Sequence, residues 1–196
     1  IEICALSDWL HGVSQNEKFT VLYAGAAPGT HILQLANLFP QISWILYDPA
    51  RSLPFAKEFD RDQRFTVFRD RKVDGQWDGK GFFTDEEARK YVEMAKEPNF
   101  AFISDIRLVE GDKDECVRKD NDFQLSWLQI MKPRNAMVKF TTPYGDRQGH
   151  VTRVLNGGQF FAQPRVGPTS TEVRYFTNQG FTDEILEISA NKWEEL

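Results

Sequence analysis

The stretch KFTVLYAGAAPGTH, Lys18 to His31, runs from apolar and β-branched residues into a turn with two glycines and on into an amphipathic helical pattern over Thr30–Phe39. Strand, tight turn and helix in that order form the first unit of a doubly wound α/β sheet, where ligands sit over the carboxyl ends of the strands. The turn matches neither common phosphate pattern. A P-loop ends in Gly-Lys-Ser/Thr, whereas Gly29 is followed by Thr30 and His31, and Gly25 and Gly29 alone do not meet the dinucleotide spacing. Pro28 has no N–H, so it removes a donor from any nest built for a pyrophosphate. What remains is a close-approach turn whose glycines leave room for a ligand, ahead of a helix N-terminus that favours a carboxylate. Asp48, at the end of ISWILYD, stands where an acidic residue accepts hydrogen bonds from ribose hydroxyls. An amino acid joined to a nucleoside suits both features, which points to S-adenosylmethionine. An ordinary turn followed by a strand-end aspartate is the competing reading.

Outward from this unit, runs rich in β-branched and aromatic residues recur at Phe19–Tyr23, Ile42–Tyr47, Phe65–Phe68, Phe100–Ile103 and Ala136–Phe140, and read as buried strands. Helical patterns lie between them at Thr30–Phe39, at Thr84–Glu97 with its acidic first turn TDEE, and at Asp122–Met131. Alternating strands and helices predict a βαβ architecture with a mostly parallel sheet. The last third differs: GQFFAQP, EVRYFTN and DEILEIS follow one another with little helix between them, and read as added antiparallel strands. Residues Pro49–Gly81 are charged and turn-rich, which suits a solvated connection or, alternatively, a basic rim for a polyanion.

With 196 residues, 41% of them hydrophobic, the chain is expected to fold as one domain over residues 1–196. IEICALSDWLHG reads as the middle of an element, so further residues are expected upstream of Ile1. The formal net charge of -5 argues against bulk nucleic-acid binding through an overall basic field and leaves local basic clusters to do it. Cys4 and Cys116 form neither a disulfide framework nor a metal-ligand spacing, which suits an intracellular chain without a structural metal. No run approaches the roughly 20 apolar residues a membrane span needs.

Three charged residues stand out at strand ends, Asp105 in FISDIR, Lys139 in MVKF and Glu172 in STEVRYF, and two of them interrupt or end apolar runs. Charge at such positions is costly without a partner, so the three are expected to face one another across a cleft. A lysine between two carboxylates is chemically ambiguous, since pairing favours the ammonium while desolvation or a second cation favours the free amine that can act as a base. A structural salt bridge is the plainer alternative.

Taken in order, AGAAPGTH, ISDIR, MVKF with TPYGD just beyond it, and STEVR resemble the poxvirus-type cap-specific mRNA nucleoside-2′-O-methyltransferases that double as poly(A) polymerase stimulatory subunits, and more broadly the FtsJ/RrmJ-type enzymes. The resemblance runs from about His11 to Asn178 and suggests a chain from another large DNA virus. It implies a Rossmann-like methyltransferase fold, S-adenosyl-L-methionine as cofactor and capped mRNA as substrate. Viral transcription or polyadenylation subunits are implied as partners, with no membrane, in the host cytoplasm or the virion. By the family's Lys-Asp-Lys-Glu signature it makes Asp105, Lys139 and Glu172 catalytic; the first lysine would fall just before Ile1. By motif, Tyr23, Gly25, Ala27, Pro28, Gly29, His31, Asp48, Phe83, Thr84, Asp105, Ile106 and Arg107 would line the cofactor site. Tyr144 and Asp146 would stack on and hydrogen-bond the methylated guanine of the cap, with a further cap carboxylate at Glu194 or Glu195. The same resemblance leaves room for a non-catalytic RNA-binding or processivity subunit, and for a 2′-O-methyltransferase acting on rRNA or tRNA.

Overall fold

The computed structural model describes residues 1–14, 16–52, 54–107, 113–141, 151–162 and 172–189, with backbone alone at 113 and 114. The helices among them are α1 (Glu2–Trp9), α2 (Thr30–Leu38), α3 (Asp85–Lys90), α4 (Val92–Ala95) and α5 (Lys113–Met131), with one 3₁₀ turn at Lys57–Asp60. The strands are β1 (Phe19–Ala24), β2 (Ile42–Tyr47), β3 (Phe65–Phe68), β4 (Lys72–Val73), β5 (Gln76–Trp77), β6 (Phe100–Ser104), β7 (Asn135–Thr141), β8 (Val151–Leu155), β9 (Gln159–Ala162), β10 (Glu172–Thr177) and β11 (Ile185–Ser189).

Seven strands form one sheet in the order β3-β2-β1-β6-β7-β10-β9. The first five run parallel, while β10 lies antiparallel to both β7 and β9. This is a doubly wound sheet whose order reverses between β1 and β6, which opens a crevice over the carboxyl ends of those strands. Both faces are covered. Phe19, Val21, Tyr23, Ala101, Ile103 and Met137 point to the side of α1 and α2, whereas Leu22, Ala24, Phe100, Phe102, Ala136 and Val138 point to the side of α3, α4 and α5. The odd-even split follows from the two-residue period of a strand. Phe19, Phe100 and Phe102 are wholly buried, each stabilising the fold by about 1.5–3 kcal/mol.

The five parallel strands lie where the apolar runs put them, and GQFFAQP and EVRYFTN join the sheet as the antiparallel addition. DEILEIS is an added antiparallel strand as well, pairing with Val151–Leu155 in a separate two-stranded ribbon. Two details differ. The helix expected over Thr84–Glu97 breaks at Tyr91, whose N–H bonds Ala88 at 3.1 Å in a tightened turn and whose buried hydroxyl meets Tyr47 at 3.0 Å. Tertiary packing of one aromatic outweighs the local helical pattern there. Helix α5 begins nine residues earlier than expected, because the segment KDECVRKDN carries no apolar stripe to announce it.

Candidate functional site

The loop after β1 is shaped by its two glycines. Gly25 has φ +80°, and a Cβ there would lie 2.7 Å from the backbone of Asp105 and Ile106; Gly29 has φ +73°, and a Cβ there would strike the Phe59 ring at 2.8 Å. The reason for the glycines is therefore different from the one expected. The space a side chain would take is filled by the protein's own backbone and core, which draws the β1 and β6 loops together. Ala27 and Pro28 are joined by a cis peptide, and the Pro28 carbonyl accepts from Ala56 N–H at 3.2 Å. Gly29 caps α2 without a side-chain acceptor, and no acid occupies the first turn, leaving that helix end electropositive.

Asp48 follows β2 and faces this loop. Its Oδ2 accepts from Ala27 N–H at 3.2 Å and its Oδ1 from Ala50 N–H at 2.7 Å. Burial raises its pKa, and these two N–H donors oppose the rise. Each oxygen keeps a lone pair beyond its single bond, so the carboxylate can both fix the loop and receive a pair of hydroxyls. Beside it, Gly81 packs so closely on Asp48 and Pro49 that a Cβ would approach to 2.5 Å. Phe83 is buried in the core against Tyr47, Phe102 and Trp127, and the exposed ring of this segment is Phe82, beneath the Arg51 guanidinium at 5.0 Å. Thr84 caps α3 by accepting from Glu87 N–H at 3.3 Å.

Across the crevice, Asp105, Lys139 and Glu172 meet. Lys139 Nζ lies 2.6 Å from Asp105 Oδ1 and 3.9 Å from Glu172 Oε2. A fourth residue joins them. Arg174 stands directly opposite Lys139 in the β7–β10 ladder, and its guanidinium reaches Asp105 at 3.3 Å and Glu172 at 3.0 Å. Two cations facing each other across a strand pair repel, so the carboxylates between them are what permits the arrangement. Arg107 closes the ring, bridging Glu172 at 2.9 Å and the buried Asp120 at 3.3 Å, while Ile106 packs against the core. Burial pulls the Glu172 pKa upward, but Lys139, Arg174 and Arg107 together hold it below the usual glutamate range. Arg174 was not singled out in the sequence, although Glu-x-Arg in STEVR puts both side chains on one strand face.

The backbone carrying Lys139 has its own support. β6 pairs with β7 only as far as Val138, and the next carbonyls are met by amides from α5: Gln124 Nε2 donates to Lys139 O at 2.6 Å and Asn121 Nδ2 to Thr141 O at 3.3 Å. Side chains thus replace a missing ladder partner where β7 runs past its neighbour.

α1 delivers a further residue that sequence reasoning missed. Glu2 Oε1 accepts from the Tyr23 hydroxyl at 2.6 Å and lies 3.4 Å from His31 Nε2. Burial pushes the Tyr23 phenol well above its ordinary value, with the Glu2 and Asp105 carboxylates adding to the effect, so it stays a donor. The bond to Glu2 raises the His31 pKa against the effect of burial. Tyr144, Asp146, Glu194 and Glu195 lie outside the described residues. Among the described residues no cluster of His, Cys, Asp and Glu could hold a metal ion, and no helix is long and apolar enough to cross a membrane.

The solved structures similar to this chain include bluetongue virus VP4, described as a multifunctional RNA-capping production-line. The TM-score is 0.58 and the identity 16%, over 97% of this chain and 30% of that one. The chain thus spans under a third of that protein's length, and the likeness shows a shared Rossmann-like fold. The DszA carbon methyltransferase matches at a TM-score of 0.44 and 11% identity, over 91% of this chain and 53% of that one. No curated protein matches the sequence. The profile of the poly A polymerase regulatory subunit matches residues 2–195. The chain belongs to the poly A polymerase regulatory subunit family.

Proposed function

We propose that this chain transfers a methyl group from S-adenosylmethionine to the ribose 2′-OH of the first transcribed nucleotide of capped mRNA. The observation that carries the reading is the cluster of Lys139, Asp105, Glu172 and Arg174, drawn against the Gly25 loop by the contact of Gly25 with Asp105. When bound, the cofactor supplies a methyl group on a sulfonium, an electrophile that needs alignment more than activation. Asp48 would hold the ribose of its nucleoside, and the Gly25–His31 turn with the α2 N-terminus would receive its amino-acid end. Lys139 meets the substrate hydroxyl and orients it or takes its proton. Asp105 and Glu172 fix the lysine, and Arg174 shares both carboxylates with it. Tyr144 and Asp146 would hold the methylated guanine of the cap. Basic residues outside the cleft, Arg51 to Lys72 and Lys132 with Arg134, would contact RNA phosphates, with binding that weakens as salt rises.

The family's description supports a second role beside the first, that of a subunit acting with a poly(A) polymerase, and this role does not need turnover. One experiment separates them. Lys139→Ala should abolish transfer of labelled methyl to capped RNA while calorimetric binding of S-adenosylmethionine persists; full retained activity would overturn the methyl-transfer reading. In the same assay Tyr144→Ala should weaken binding of methylated-cap RNA more than of uncapped RNA, and equal losses would remove the cap assignment.

A further inference from the structure

We propose that Glu2 is a cofactor-binding residue, whose free carboxylate oxygen receives the α-ammonium of the amino-acid end; this rests on the methyl-transfer reading of the cleft. Tyr23 on β1, Asp105 just past the end of β6, Lys139 on β7 and Arg174 on β10 lie on one face of four successive strands. α1 crosses that face and sets Glu2 on the Tyr23 hydroxyl, two residues before the Gly25 turn. Strands are about 4.8 Å apart and Tyr23 is level with Met137, two residues before Lys139, so the Tyr23 and Lys139 backbones stand roughly 12 Å apart, a span that a hydroxyl, a methyl, a sulfur and a three-carbon chain placed in sequence can fill.

The two oxygens of Glu2 differ. Oε1 takes the Tyr23 hydroxyl and faces His31, while Oε2 has no partner among the described residues in a side chain that is 25% exposed. A carboxylate held in this way at the edge of a crevice, with one oxygen fixed and one open, is oriented for a cation arriving from the crevice. The positive field around it comes from His31 and the more distant Arg174. Neither reaches Oε2 within bonding distance. His31, 45% exposed on the first turn of α2, lies 3.4 Å from Oε1, and the N-terminus of that helix is free of acids for the α-carboxylate of the same zwitterion.

The test compares two ligands by calorimetry on the full chain and its Glu2→Gln variant. S-adenosylhomocysteine carries the ammonium; 5′-methylthioadenosine shares the nucleoside and thioether and lacks the amino acid. Glutamine keeps an acceptor for Tyr23, so the fold of the loop is preserved. S-adenosylhomocysteine should weaken by about ten- to a hundredfold, while 5′-methylthioadenosine stays within about twofold and reports that the site is folded. Equal weakening of both ligands, or no loss for S-adenosylhomocysteine, would overturn the role of Glu2 and leave the methyl-transfer reading standing. Failure of the unaltered chain to bind either ligand would overturn both.

Discussion

Asp105→Asn isolates the electrostatics that hold the cleft together. Asp105 Oδ1 takes Lys139 at 2.6 Å and Arg174 at 3.3 Å, so the two cations stand within about 6 Å of each other on opposed residues of β7 and β10. At an effective dielectric near 20, two unit charges at that separation repel by roughly 3 kcal/mol. The asparagine keeps an acceptor but loses the charge. Glu172 remains 3.9 Å from Lys139 and 3.0 Å from Arg174, and the side chains are 13% and 11% exposed, so the second carboxylate and some solvent offset part of the repulsion. The expected net loss is about 1–3 kcal/mol, a fall in the unfolding midpoint of roughly 2–10 °C for a chain of this length. Scanning calorimetry at neutral pH measures it, with Arg174→Leu alone and in the Asp105→Asn background. Removing one of the opposed cations should restore at least half of the loss caused by Asp105→Asn. If the double variant is destabilised by the sum of the two single losses, the cations are not coupled through Asp105 and the reasoning is wrong.

Two further outcomes follow from the loop and its neighbours. Gly25→Ala forces a Cβ to 2.7 Å from the Asp105 backbone at a positive φ, and should cost about 2–4 kcal/mol in denaturant unfolding and weaken S-adenosylmethionine binding; a variant as stable as the parent would show that the β1 and β6 loops are not in contact. His31 has its pKa raised above 6.5 by Glu2, so their interaction favours the folded state fully below about pH 6.5 and is lost as pH rises through the higher folded value. The ring should titrate above 6.5 by NMR and move down in Glu2→Gln; an unchanged titration would refute the pairing.

Much of this was legible in the sequence, because buried parallel strands advertise themselves as apolar runs and the four site motifs sit at their ends. Asp105, Lys139 and Glu172 stood out for a simple reason: charge in an apolar run needs a partner. Arg174 carried the same signal two residues on, yet its meaning depends on the β7–β10 register, a non-local pairing that no spacing within one segment specifies. Glu2 was hidden for a similar reason. A glutamate in the first turn of a helix reads as a favourable dipole contact, and only the crossing of α1 over β1 brings it to Tyr23 and His31. The pairing of β8 with β11 and the break at Tyr91 likewise arise from contacts distant in sequence.

The seam between α1 and β10 bears on how the chain is made. Trp9 donates to Thr177 O at 3.0 Å and stacks on Phe176 at 5.4 Å, while Asn178 donates to Asp8 at 2.7 Å, so α1 is completed by a strand 168 residues later. A ribosome adding about 5–20 residues each second needs on the order of ten to thirty seconds to span that interval. Throughout it Trp9 lacks its final partner, and over its last part alone β7 carries Lys139 beside an edge still waiting for Arg174. The Gly25 loop can meet Asp105 and Ile106 before β10 is made; the charged cluster is finished only when β10 inserts. Contacts so distant in sequence slow folding, so the cluster of Asp105, Lys139, Glu172 and Arg174 is expected to mature after the Gly25 loop.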